Sequence, residues 1–124
     1  MEIKITEFVE KYLLTGHASD FSCSQFERGD YAGKGSYQHA VETTEDFSVV
    51  TAETRPQLEK FFKGFGCWDI SEIQSWSDSE LNGVCLQLIA SDYKEWDRNP
   101  DTMNGYYCDA SQSVDGEYYY TFSE

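Results

Sequence analysis

Apolar residues recur at helical spacing through most of the first hundred positions, then give way to strand-like runs at the end. Ile5, Phe8, Val9, Tyr12 and Leu13 fall at three- and four-residue intervals, which predicts a helix within 1–15, with Thr6 as a candidate cap. Ile3 and Ile5 also alternate with polar residues, so a short opening strand is the alternative; the helix is the preferred reading. Ser19 is a candidate cap for a second helix carrying Phe21, Cys23 and Phe26, which Gly33-Lys34-Gly35 then breaks. Ser36 caps a short helix through Val41 that is expected to bury Tyr37 and Val41. Residues 42–50 read as a polar connector ending in Phe47-Ser48-Val49-Val50.

The second half is punctuated more clearly. Thr54-Arg55-Pro56-Gln57 matches a capping box, with proline tolerated in the first turn. Leu58, Phe61, Phe62 and Phe65 then trace one helical face, and Gly64 and Gly66 end it. Asp69–Glu72 and Ser71–Gln74 offer overlapping caps for a short helix with Ile73 and Trp76. Ser77-Asp78-Ser79-Glu80 opens the strongest helix. Its stripe is Leu81, Val84, Cys85, Leu88 and Ile89, extended by Trp96 and stopped by Pro100. Asp78 and Glu80 suit the positive end of its dipole. Tyr106-Tyr107-Cys108 and Glu117–Phe122 are β-formers flanking Asp115-Gly116, a hairpin signal.

These patterns predict one α+β domain spanning 1–124. It is mainly helical, with four or five helices over 1–98 and a C-terminal β-hairpin over 105–123. An isolated hairpin is marginal in water, so it must pack on the helices. One face of alternating tyrosines can do this, and the other is left to solvent or a partner.

Composition adds charge to this picture. The 124 residues include 20 aromatics, more than a core of this size needs, so several tyrosines should reach the surface. The formal net charge is −14, and it is uneven. Residues 1–68 hold 11 acidic and 7 basic side chains, a net of −4; residues 69–124 hold 12 and 2, a net of −10. Such a field repels nucleic acid and anionic membranes and steers a basic partner inward. Acidity serving solubility alone is the plain alternative. The N-terminus has no apolar leader core, and no run approaches the roughly 20 apolar residues of a membrane span. The expected compartment is therefore cytoplasmic and reducing, with Cys23, Cys67, Cys85 and Cys108 as free thiols. Cys85 is expected in the core.

Several motifs fail on inspection. His17 and His39 lie 22 positions apart, without the helical i, i+4 pair of a zincin. No sequence context marks a Cys–His nucleophile pair. The stretch Gly29–Ser36 contains Lys34, yet Gly35 stands where a phosphate loop requires a hydroxyl. Asp97-x-Asn99-x-Asp101 begins like a calcium loop, but Thr102 replaces its glycine and Cys108 its bidentate glutamate. Asp109, Ser111, Ser113 and Asp115 have similar oxygen spacing within the hairpin. Carboxylate pairs such as Asp92/Glu95 arise by chance among 23 acids. The sequence therefore predicts no catalytic residue, no metal ligand and no cofactor site.

What remains is a surface. Asp92, Glu95, Asp97, Asp101, Asp109, Asp115 and Glu117 cluster around the end of the long helix and the hairpin. Duplex DNA presents one charge per about 1.7 Å of axis, and a carboxylate array competes for the same basic groove. Trp96, Tyr118 and Tyr120 are the candidate aromatic anchors. The rival reading docks the aromatic hairpin and leaves charge to solubility. A spatially assembled enzyme site is the second rival.

The blocks His17-Ala18-Ser19-Asp20-Phe21-Ser22, Phe65-Gly66-Cys67-Trp68, Ile73, Trp76-Ser77-Asp78, Glu80-Leu81-Asn82 and Leu86-Gln87-Leu88-Ile89-Ala90 with Asp92 resemble a family of small acidic proteins carried by bacterial phages, plasmids and integrated elements. The likeness covers about two thirds of the chain and departs over Ala40–Thr54. It implies a mobile-element setting, in which small acidic proteins resemble anti-CRISPR or antirestriction inhibitors that block a host nuclease. No catalytic residue comes with it. The expected function is a non-enzymatic inhibitor in the bacterial host cell, whose partner is a basic nucleic-acid-binding protein such as a CRISPR effector subunit.

Overall fold

The computed structural model describes residues 2–16, 36–91 and 107–123. The chain opens with strand β1 (Glu2–Lys4) and turns into helix α1 (Ile5–Phe8), which widens into a π-helical turn over Val9–Leu14. Both readings of the first fifteen residues are thus realised in succession. Ile3 pairs across the sheet, while Ile5, Phe8, Val9 and Leu13 are buried on the helical face.

Helix α2 (Ser36–Thr43) follows, then α3 (Arg55–Lys63), α4 (Ile70–Ser75) and α5 (Asp78–Ser91). The tail supplies β2 (Tyr107–Gln112) and β3 (Tyr118–Ser123). This is the expected α+β class, with five α-helices among the described residues. The hairpin is not alone, however: the sheet order is β1-β3-β2, all antiparallel, so the N-terminal strand completes it. Three strands and a packed face meet the stability requirement that two would not. The predicted helix after Ser19, the Trp96 extension of α5 and the Pro100 stop lie outside the described residues.

Caps decide the boundaries unevenly. Ser77 Oγ accepts the Glu80 N–H at 3.1 Å, one half of the box read from sequence, and the Glu80 carboxylate returns to the Ser77 hydroxyl at 3.2 Å rather than to its backbone N–H. The Asp69 N–H reaches Glu72 Oε1 at 3.4 Å before α4. Thr54 behaves differently. Its backbone is already helical, and its hydroxyl turns back to accept the Thr51 N–H at 2.8 Å and donate to the Val49 carbonyl at 3.1 Å. The expected Thr54–Gln57 box does not form, because the preceding turn uses the hydroxyl first. At the other end of α3, Gly66 takes φ 77°, a left-handed conformation that side chains disfavour.

The core is centred on α5. Leu81, Cys85, Leu88 and Ile89 are buried as the stripe predicts, but Asn82, Leu86 and Ala90 form a second buried row at i, i+4 spacing. The helix is thus enclosed on more than one side, and a single stripe understates it. Asn82 makes this tolerable for the irregular connector beside it. Its Oδ1 accepts the Val49 N–H at 2.8 Å, and its Nδ2 donates to the Phe47 carbonyl at 2.8 Å. In α2 the fully buried residue is Ala40, with Val41 partly buried. The side chain of Tyr37 lies outside the described residues.

Leu58, Phe61 and Phe62 seat α3 in the core. Phe62, Phe65, Trp68 and Trp76 then chain together, with Trp68 and Trp76 edge to face at 5.1 Å. Arg55 locks the same corner: its guanidinium donates to Asp78 Oδ1 at 2.6 Å, to the Trp76 carbonyl at 2.5 Å and to Glu59 Oε2 at 3.1 Å.

Among the cysteines, Cys85 is free and fully buried, and burial pushes its thiol well up, so it stays protonated at neutral pH. Cys67 is disulfide-bonded, with its partner sulfur outside the described side chains. The expectation of four free thiols is therefore corrected. Disulfides are characteristic of oxidising surroundings, which spacing between cysteines does not reveal.

Candidate partner-binding surface

The candidate residues fall on the sheet and its turn, and strand alternation sorts them. In β3, Tyr120 pairs with Ile3 on one side and Ala110 on the other. This apolar row faces the helices. Tyr120 has 0% exposure, and its hydroxyl meets Thr44 Oγ1 at 2.6 Å. Thr44 Oγ1 also lies 3.0 Å from the Ala40 carbonyl. A hydroxyl carries one hydrogen, so Thr44 donates to Ala40 and accepts from Tyr120. Tyr118 lies on the same inward side, partly buried, with its ring 4.8 Å from that of Phe47.

Tyr120 is thus a core residue and is corrected out of the partner-facing set. Tyr118 is largely spent on packing. The residue that period 2 turns outward is Tyr119, which pairs with Lys4 and Ser111. The next outward row is Glu2, Thr121 and Asp109. Three consecutive tyrosines carry no alternation of their own, so the parity expected of Tyr118 and Tyr120 is reversed here. The signal lay in their cross-strand neighbours, apolar Ile3 and Ala110 against polar Lys4 and Ser111. Using it required knowing that β1 joins the sheet.

The acidic candidates differ in what holds them. Asp109 is exposed, and its carboxylate has no hydrogen-bond or ion-pair partner among the described residues. Asp115 sits in the hairpin turn, where Gly116 takes φ 88°. Its Oδ1 accepts the Ser113 hydroxyl and, at 3.3 Å, the Glu117 N–H. Those two bonds, the hydroxyl first, hold its carboxyl below the ordinary range. Glu117 is the least available of the three. Lys4 Nζ lies 3.9 Å from its Oε1, and the Thr6 hydroxyl donates to its Oε2 at 3.4 Å. It ties the hairpin to α1 as well as contributing charge. Asp92, Glu95, Trp96, Asp97 and Asp101 lie outside the described residues.

Among the described residues, no group of three or more histidine, cysteine or carboxylate side chains is placed to hold a metal ion. No helix among them is long and apolar enough to cross a membrane. The chain matches no family model, no curated protein sequence and no solved structure.

Proposed function

We propose that the chain is a non-enzymatic inhibitor of a host nucleic-acid-binding defence complex, of the anti-CRISPR or DNA-mimic kind, acting in the cytoplasm of a bacterial host. Its partner is a protein with a basic groove, such as a CRISPR effector subunit. The observation that carries this reading is the charge gradient, a net of −4 before residue 69 and −10 from there on. Within the acidic half, Asp109 and Asp115 are exposed carboxylates that form no contact ion pair among the described residues, with Lys4 acting on Asp115 only through space. Carboxylates left unneutralised on a sheet and its turn suit a groove lined by lysine and arginine. The aromatic-docking alternative is weakened by Tyr118 and Tyr120 packing inward.

Charge reversal tests the proposal. Changing Asp92, Glu95, Asp97 and Asp101 to Lys should abolish partner binding while the circular dichroism spectrum stays native. Asp109→Lys with Asp115→Lys should weaken it. Retained affinity in the fourfold variant rules out charge mimicry. Salt offers an independent arm, because affinity should fall steeply as the Debye length shrinks from about 8 Å at physiological ionic strength.

A further inference from the structure

The cations of this acidic chain are unevenly used. Among the described residues, Lys4 pairs with Glu7 and Glu117, and Arg55 pairs with Glu59 and Asp78. Lys11, Lys60 and Lys63 have no carboxylate partner there. All three sit on the two elements that meet at one cleft, α3 and the π-helical turn after α1. The cleft, of about 460 Å³, is lined by Leu13, Leu14, Gly16, Gln57, Lys60 and Phe61 among others. That volume lies within the ~300–1,000 Å³ common for small-molecule sites.

A lysine in the last turn of a helix ordinarily answers the exposed carbonyls there. At α3 those carbonyls are already taken. The Gly64 N–H bonds the Lys60 and Phe61 carbonyls, the Phe65 N–H that of Phe62, and the Gly66 N–H that of Lys63. At the facing helix end, the Thr15 hydroxyl bonds the carbonyls of Glu10 and Lys11. Among the described residues, Lys60 therefore brings a cation to the cleft that neither a carboxylate nor a helix end consumes. The same cleft is lined by the apolar Leu13, Leu14 and Phe61 and by Gln57, one turn before Lys60 on α3. Glu10 is the acid of the π-helical turn and does not line the cleft; Glu59, beside Lys60 in sequence, is engaged by Arg55 at 3.1 Å.

We propose that this cleft binds a small amphiphilic carboxylate, its apolar body against Leu14 and Phe61 and its anionic head on Lys60, with Gln57 donating a hydrogen bond. The site is independent of the acidic surface described above. The remainder of the −14 charge opposes an anion at long range, but salt screens it beyond about 8 Å, whereas Lys60 acts within the cleft.

The test is a fluorescence titration of the full chain with 8-anilinonaphthalene-1-sulfonate, with octanoate and octylammonium as competitors. One saturable site is expected, displaced by octanoate and not by octylammonium. Lys60→Met should weaken the probe at least tenfold while near-ultraviolet circular dichroism stays native. Val114→Glu, at a fully exposed turn position away from the cleft, makes the same one-unit change in net charge and should leave affinity unaltered. Non-saturable binding, equal affinity in Lys60→Met, equal weakening in Val114→Glu, or displacement by octylammonium would each overturn the assignment.

Discussion

The hydroxyls of Thr44 and Tyr120 meet at 2.6 Å with both side chains essentially removed from solvent, and they join the end of α2 to the central strand of the sheet. Two residues 76 positions apart thereby settle which face of β3 is inside. A buried tyrosine needs a partner for its hydroxyl, and Thr44 accepts because its own proton is engaged by Ala40.

Removing either hydroxyl alone takes this hydrogen bond from the other, buried hydroxyl. Tyr120→Phe and Thr44→Val should each cost about 1–3 kcal/mol, whereas the double variant should cost clearly less than their sum. Urea unfolding of the four proteins measures this coupling. Strict additivity would mean that the two groups do not interact.

Asn82 does for the connector what a strand neighbour would do. Asn82→Leu keeps the volume but strips partners from the Val49 N–H and the Phe47 carbonyl, at a cost of about 1–3 kcal/mol for each group. Hydrogen exchange should show the Val49 amide losing protection before the amides of α5 do. Unchanged exchange at Val49 would contradict the assignment.

Asp115 offers a test by pH. Its folded value lies below the ordinary 3.8, so its favourable contribution is complete above that value. The contribution is lost as pH falls through the folded value. Carbon-detected nuclear magnetic resonance should place the Asp115 midpoint below that of a model aspartate, and Ser113→Ala should move it back upward. A midpoint insensitive to Ser113→Ala would assign the shift elsewhere.

The bond at Cys67 predicts a thiol count. With four cysteines and one disulfide, the denatured, unreduced chain should label at two positions, and at four after reduction. Cys67→Ser should raise the unreduced count to three. Trapping thiols in living bacteria before lysis tests whether the bond exists in the cytoplasm, where most thiols are kept reduced. Four reactive thiols in the air-equilibrated protein would contradict the bond.

Local chemistry was legible where one segment carried the whole signal. Ser77 caps the Glu80 N–H, Leu58, Phe61 and Phe62 seat their helix, and the Asp115-Gly116 turn joins two strands. What escaped depends on distant segments. The place of β1 beside β3 comes from residues more than a hundred positions apart, and with it the parity of Tyr118, Tyr119 and Tyr120. The second buried row of α5 was hidden because Asn82 is polar, although it serves the backbone of 47–49. Thr54 had two possible uses for one hydroxyl, and the turn before it won. The acidic candidates followed from composition alone, yet the role of Glu117 as an anchor for Lys4 and Thr6 required their positions in space.

The proposed function turns on whether a partner's nucleic-acid groove is what the acidic half occupies. The direct measurement is capture of partner proteins from a bacterial lysate on the immobilised chain, followed by elution with excess duplex DNA at constant ionic strength. Charge mimicry expects DNA to release the captured protein, and the Asp92, Glu95, Asp97 and Asp101 to Lys variant to capture none. A partner that stays bound under saturating DNA, and is captured equally by that variant, would contradict it.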